Sequence, residues 1–317
     1  MSFSSEVKEE LSKHNSQTRH CQLAELAVMI QYAGTINWED SQKPSITVRT
    51  ENIAVARKYF TLLKKTFNIN TDVDESTSND ISKAVKAKIY TIHLDQTDEV
   101  MKVFQAIKLF REDGVMLTPA TVINPILLKN TCCRRAVIRG AYLSIGSMSD
   151  PNKGYHFELV CATKVQAEQL KDIIIGFEVD AKIVNRKKYY VVYVKEGAGI
   201  VELLNIMEAH ISLMNLENLR IIREMRNSIN RRVNCEAANI TKTVNAASKQ
   251  IEDILSIKNK MGFGQLPENL REIAELRLEY PDATLKELGG LIEPAVGKSG
   301  VNHRLRKLSE LAESLKQ

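Results

Sequence analysis

No run in this sequence is apolar for long enough to span a bilayer. The opening MSFSSEVKEEL carries acids where a secretory leader needs a basic and then an apolar stretch, so a cytoplasmic location is expected. None of the five cysteines (Cys21, Cys132, Cys133, Cys161, Cys235) belongs to a CxxC pair. That excludes a zinc ribbon or thioredoxin-type site of that spacing and leaves reduced thiols as the expectation. His14, His93, His156 and His210 are scattered singly without ligand spacing and receive no role. A phosphate-binding loop is missing too. The GKS at Gly297 to Ser299 would need glycine at position 292, which is Ile292, and no strand precedes it. Strong charge imbalance is absent: a net charge of +5 and a pI near 8.8 hint only mildly at a polyanionic partner, so the distribution of charge decides more than its total.

What is present is an ordinary globular composition, 44% hydrophobic and 26% charged over 317 residues, enough for two or three domains. Two stretches stand out, LAVMIQYAG at Leu26 to Gly34 and IRGAYLSIG at Ile138 to Gly146, each an apolar helical run with small residues and a terminal glycine. After the first come a strand, SITVRT (Ser45 to Thr50), a helix from Ile53 to Phe67, strands at Ile69 to Val73 and Ala87 to Leu94, and a helix from Asp98 to Phe110. The order recurs after the second. There Tyr155 to Ala162 reads as a strand and Lys164 to Phe177 as a helix. Strands at Val179 to Val184 and Lys188 to Lys195 follow, and Gly199 to His210 reads as a helix. The expected fold is therefore an α+β domain of two pseudo-symmetric α-β-α-β-β-α halves, followed by an all-α helix-turn-helix domain.

Domain boundaries are expected as an N-terminal segment (1–20) and a duplicated domain (21–212) with halves at about 21–112 and 131–212. A polar helical connection (213–262) leads to a terminal domain (263–317). In that last part Pro267 starts a helix with Leu270, Ile273 and Leu276 or Leu278 on its buried stripe. Thr284 and Glu287 have capping-box spacing for a short second helix burying Leu285, Leu288 and Ile292. Ser299 is expected to cap a third, with Val301, Leu305, Leu308, Leu311 and Leu315 on one face. From Lys298 to Lys307 there are four Lys and Arg residues and no acid. A short helix followed by a basic one suits a helix-turn-helix, whose last helix enters the major groove. Thr284, Lys286, Lys298, Ser299, Asn302, His303, Arg304, Arg306 and Lys307 are the expected DNA contacts, with Arg suited to guanine, Asn to adenine and Lys to phosphate. Packing of this basic helix on a protein partner is the weaker alternative.

The connecting stretch is helical in period but polar on nearly every face. Arg220, Arg223, Arg226, Asn227, Asn230, Arg231 and Asn234 fit either DNA-backbone contact or packing between domains, and the sequence does not choose. Arg49, Arg186, Lys187 and Lys188 are candidate electrostatic contacts on the sheets. Cys21 and Cys133 occupy equivalent places in the repeat, beside His20 and Cys132. Side-by-side motif helices would let them hold a metal or form a disulfide, but unconnected reduced thiols are favoured and no metal is assigned.

The paired Gly-ended helices and the order of elements resemble the LAGLIDADG homing-endonuclease fold. In that fold the two motif helices pack on a pseudo-two-fold axis and carry metal-binding acids at their ends. Laid on the nine-residue motif, this chain has Ala33 and Ile145 where the acids belong, and neither side chain can ligate a divalent cation. Glu39, Asp40 and Asp150 lie beyond the helix ends and read as turn residues. With MRNSINRRVNCEAAN in the connection and TLKELG followed by KSGVNHRLRKL at the end, nearly the whole chain resembles the WhiA family. That resemblance implies a DNA-binding transcriptional regulator of sporulation, cell division and chromosome segregation, nucleoid-associated and without nuclease activity. Its partners would be duplex DNA and another transcription regulator or the transcription machinery. No cofactor and no small-molecule substrate are expected. A nucleoid scaffold with weak non-specific binding is the second reading, and a metal-dependent endonuclease the third.

Overall fold

The computed structural model describes residues 2–38, 43–77, 88–110 and 122–315. Its chain divides into two compact units, one ending at Arg223 and one beginning at Glu224. In the first unit the sequence of elements is α1 (Phe3–Lys13), α2 (Arg19–Ala33), β1 (Gly34–Asn37), β2 (Ser45–Thr50), α3 (Ile53–Phe67), β3 (Val73–Thr77), β4 (Lys88–Leu94) and α4 (Thr97–Ala106). After a short turn of 3-10 helix at Pro125–Leu128 come α5 (Thr131–Ile145), β5 (Gly146–Met148), β6 (Phe157–Cys161), α6 (Lys164–Ile175), β7 (Lys182–Arg186), β8 (Tyr189–Val194) and α7 (Gly197–Met207). Helix α8 (His210–Lys260) contains the boundary between the units.

Each half is thus α-β-β-α-β-β-α, one strand richer than the sequence pattern suggests. The additional strands, β1 and β5, have four and three residues, too short to show an alternation. The strand expected at Ile69 to Val73 lies further along, at Val73–Thr77. Ala87, Glu39 and Asp40 fall outside the described residues. Each half builds an antiparallel four-stranded sheet, ordered β1-β2-β4-β3 and β5-β6-β8-β7. Register pairs Ile46 with Leu94, Val48 with Ile92, and Leu159 with Val192, all buried, so one face of each sheet enters the core.

Helices α2 and α5 form the centre. From Leu26 to Tyr32 every residue of α2 is buried, as expected for a helix packed on all sides. Close approach is achieved at Gly140, where a Cβ would meet the Glu25 carbonyl oxygen at 2.7 Å and Val28 Cγ1 at 2.6 Å. The segment before residue 20 is no separate appendage. Val7 and Leu11 of α1 are fully buried in this same core. Ser4 Oγ accepts from the Met148 amide at 3.2 Å, and Glu10 accepts from the Ile211 and Ser212 amides at 2.8 and 2.9 Å, capping the start of α8.

The second unit contains the rest of α8, a 3-10 turn at Phe263–Gln265, α9 (Glu268–Glu279), α10 (Leu285–Gly290) and α11 (Lys298–Ser314). Its own core joins Ile254 and Ile257 of α8 to Leu270, Ile273, Leu288, Val301, Leu305 and Leu308. Among the described residues no helix is long and apolar enough to cross a membrane.

Candidate nucleic-acid interface

Local chemistry builds the α10–α11 unit. Thr284 and Glu287 form the expected reciprocal cap: the Glu287 amide donates to Thr284 Oγ1 at 3.3 Å and the Thr284 amide to Glu287 Oε2 at 2.7 Å. These bonds hold the Glu287 carboxyl below its ordinary range. Arg277, buried on α9, donates to the Ala283 carbonyl at 2.7 Å and ties the turn before α10. Near the end of α10 Gly289 lies against the returning chain. The Val296 amide donates to its carbonyl at 2.9 Å, and a Cβ there would fall 2.0 Å from the Val296 oxygen. Helix α11 is capped at Gly297, not at Ser299: the chain turns helical two residues early, so Ser299 stands within the first turn and no side chain caps the helix.

Along α11 the periodicity separates two faces. Val301, Leu305, Leu308 and Ala312 are buried, while Lys298, Ser299, Asn302, His303, Arg306 and Lys307 are exposed. Thr284 and Lys286 of α10 are exposed as well. Arg304 differs. Only 21% of its side chain is exposed, and its guanidinium lies 3.5 Å from Glu272 of α9, so it sits on the packed side of the helix. Arg306 lies 3.1 Å from Glu310 one turn on, but at 77% exposure it is free to exchange that partner. Asn302 and Lys298 border a groove of about 700 Å³ whose other wall is α8, including Lys242, Thr243 and Gln250. That wall escapes sequence reasoning because the contact joins turns about fifty residues apart.

The polar stretch is one continuous helix, and its Arg and Asn residues divide. Arg223 donates to the Asn152 carbonyl at 2.5 Å and stacks over Tyr155 at 5.4 Å, while Arg220 pairs with Glu217 at 2.8 Å. Both are half-buried within the first unit. Arg226, Asn227, Asn230, Arg231 and Asn234 are exposed. On the sheets and the β7–β8 turn Arg49, Arg186, Lys187 and Lys188 are all exposed, with Arg186 3.1 Å from Glu158.

At the opposite, C-terminal ends of the motif helices, α2 closes on Ala33 and α5 on Ile145, and the glycine after each is the C-cap. Within the helix pair lies a charge network that the sequence reading missed. Glu25 accepts from Lys58 Nζ at 3.1 Å and Arg139 Nε at 3.3 Å, with all three side chains at most 2% exposed. Arg139 continues to Glu208 at 2.7 Å, the Met207 carbonyl at 3.2 Å and Ser16 Oγ at 2.8 Å, and His14 meets Glu208 at 2.7 Å. A charged residue at the start of each apolar motif, Glu25 just before the first and Arg139 inside the second, was the available signal. Burial lowers the Lys58 ammonium and Glu25 pulls it back up.

The N-terminal ends of the same helices bring together His20, Cys21, Cys132 and Cys133, whose cysteines the sequence favours as unconnected thiols. Their four donor atoms all lie within 4.8 Å of one another. Burial and the neighbouring thiols push the Cys133 thiol up to about 12.

Comparison with known proteins agrees in both units. Residues 19–110 match the WhiA N-terminal LAGLIDADG-like domain, 134–226 the WhiA LAGLIDADG-like domain and 229–312 the WhiA C-terminal HTH domain. The chain is 55% identical to the probable cell division protein WhiA of Lachnoclostridium phytofermentans over the full length of both. It is 44% identical to the protein so named in Clostridium acetobutylicum, over 100% of this chain and 99% of that one. The crystal structure of full-length DUF199/WhiA from Thermatoga maritima superposes with a TM-score of 0.59 at 24% identity, covering 99% of each chain. By its three matched domains and its full-length relatives, the chain belongs to the WhiA family.

Proposed function

We propose that this protein is a sequence-specific, duplex-DNA-binding transcriptional regulator acting in cell division and, where the bacterium sporulates, in sporulation, without nuclease activity. The observation that carries this reading is the exposed face of α11: Lys298, Asn302, His303, Arg306 and Lys307 stand opposite a fully buried apolar stripe, on a helix that follows the capped α10 and is placed by the Gly289–Val296 contact. Asn302 and Arg306 supply base-edge chemistry; Lys298, Lys307, Thr284 and Lys286 supply phosphate contacts. Arg226, Arg231 and the exposed asparagines of α8 add electrostatic contact with the DNA backbone. The names of the relatives support the cell-division role. Ala33 and Ile145 at the ends of the motif helices support the absence of cleavage, since neither offers an oxygen to a cation. Such a protein works at the nucleoid.

The test is selection of random duplex DNA on the full-length protein with magnesium present, followed by examination of the recovered DNA for breaks. An intact shared motif is expected, lost in a variant carrying Asn302→Ala, Arg306→Ala and Lys307→Ala. Each base-reading residue should cost about 1–3 kcal/mol. Intact but unrelated sequences with a steep salt dependence would replace regulation by non-specific scaffolding. Cut DNA would overturn the argument from Ala33 and Ile145.

A further inference from the structure

The group at the N-terminal ends of α2 and α5 has the composition and spacing of a metal centre. His20 Nδ1 lies 3.1 Å from Cys133 Sγ, 3.4 Å from Cys21 Sγ and 4.0 Å from Cys132 Sγ. In a tetrahedron with zinc–sulfur bonds near 2.3 Å and zinc–nitrogen bonds near 2.05 Å, the nitrogen–sulfur edges are about 3.5 Å. The observed edges bracket that length, and the largest separation within the group, 4.8 Å at most, requires only small side-chain adjustment. Both halves contribute alike. His20 and Cys21 are the second and third residues of α2, and Cys132 and Cys133 are the second and third of α5.

We propose that His20, Cys21, Cys132 and Cys133 bind one zinc ion in a Cys3His centre that ties the N-terminal ends of α2 and α5 together. Three independent observations favour zinc over a set of neighbouring thiols. The donors are soft sulfur and imidazole nitrogen with no carboxylate among them, a set that selects zinc over magnesium or calcium. Three thiolates on a divalent ion leave one net negative charge, and the group sits at the positive ends of two helices, neither of which has its N-cap side chain, Thr18 or Asn130, in a capping bond. A cavity of about 570 Å³ lined by Cys21, Cys132, Arg135 and Thr18 opens beside the donors and gives an ion a way in. All four coordination positions are filled by protein, so the centre is structural and has no open site for a substrate. It lies at the end of the motif helices opposite Ala33 and Ile145, and so is separate from any nuclease-type cation position.

The zinc content of the untagged full-length protein, prepared under reducing conditions and supplied with zinc, tests this. About one zinc per chain is expected, with coordination closed as in other structural sites. Cobalt in its place should show the visible bands of a tetrahedral ion and a near-ultraviolet thiolate charge-transfer band. Cys132→Ser, a change at an exposed ligand, should lower the retained zinc and weaken the charge-transfer band, while Cys235→Ser on α8 should alter neither. Thiol titration of the native protein should find Cys235 reactive at once and Cys132 reactive only after chelation. Absence of zinc from the folded wild-type protein would overturn the proposal. So would full zinc retention in a Cys132→Ser, Cys133→Ser double variant, or a mass showing these thiols joined in a disulfide.

Discussion

Replacing Glu25 by Gln keeps the shape of the side chain and removes the one anion between two buried cations. Lys58 Nζ at 3.1 Å and Arg139 Nε at 3.3 Å both face the same Oε1, and neither Glu25 nor Lys58 has an exposed side chain. Arg139 retains Glu208 at 2.7 Å. Among the described residues Lys58 then keeps the His14 carbonyl as its polar contact, so it bears most of the loss. Breaking a buried pair by removing one member costs about 3–5 kcal/mol because the other charge stays out of water. For a unit of this size that lowers the melting temperature by roughly 6–20 °C. The chain has a single tryptophan, Trp38, half-buried with its ring 4.3 Å from that of Phe110 in the first unit, so tryptophan fluorescence in a urea titration follows that unit alone. The sign with pH follows from Lys58, whose folded ammonium is held below its ordinary value. Stability rises wherever the unfolded chain keeps a proton that folded Lys58 has lost, and without Glu25 that window extends to lower pH. The destabilisation should therefore shrink as pH rises towards 9, and Lys58→Met in the Glu25→Gln background should recover stability. A loss under about 1 kcal/mol at pH 7, or one that grows with pH, would refute the desolvated-network reasoning.

Gly140→Ala would force a methyl against the Glu25 carbonyl and separate α2 from α5, with an expected cost of about 1–3 kcal/mol by the same fluorescence titration. An unchanged midpoint would show that the helices do not pack at that point. Gly289→Ala meets a backbone oxygen at 2.0 Å and should abolish specific DNA binding while leaving the Trp38 transition in place; retained binding contradicts the turn geometry. Burial lowers the Lys8 ammonium, 5.8 Å from the Tyr142 ring centroid, from 10.5 to about 8. Below pH 8 both states carry the charge and the burial cost is constant. Between 8 and 10.5 the unfolded chain holds the extra proton, so stability rises with pH. Lys8→Met should remove that rise and stabilise the protein at pH 7; an unaltered pH profile would mean Lys8 is solvated.

Periodicity and capping chemistry are local, and where they govern an element the sequence by itself determined it. The strand Ser45–Thr50, the helix Ile53–Phe67, the Thr284–Glu287 cap and the buried face of α11 are all read from spacing of a few residues. The duplication was legible for the same reason, since each half repeats one order of local patterns. Strands β1 and β5 were not, because three or four residues carry no period and exist by pairing with β2 and β6. Nor was the end of α11: Ser299 has cap chemistry, but the chain return that brings Val296 onto Gly289 starts the helix at Lys298. The sorting of the basic residues was tertiary throughout. Arg304 and Arg306 are two residues apart and alike in sequence, yet the helix turn carries one onto Glu272 and leaves the other exposed. Most of all, the tertiary fold decided the charge network of Glu25, Lys58 and Arg139 and the gathering of His20, Cys21, Cys132 and Cys133. Their members are far apart along the chain. The packing of α2 against α5, close enough to require Gly140, brings Glu25 to Arg139 and gathers the His/Cys group, and α3 packed on α2 adds Lys58.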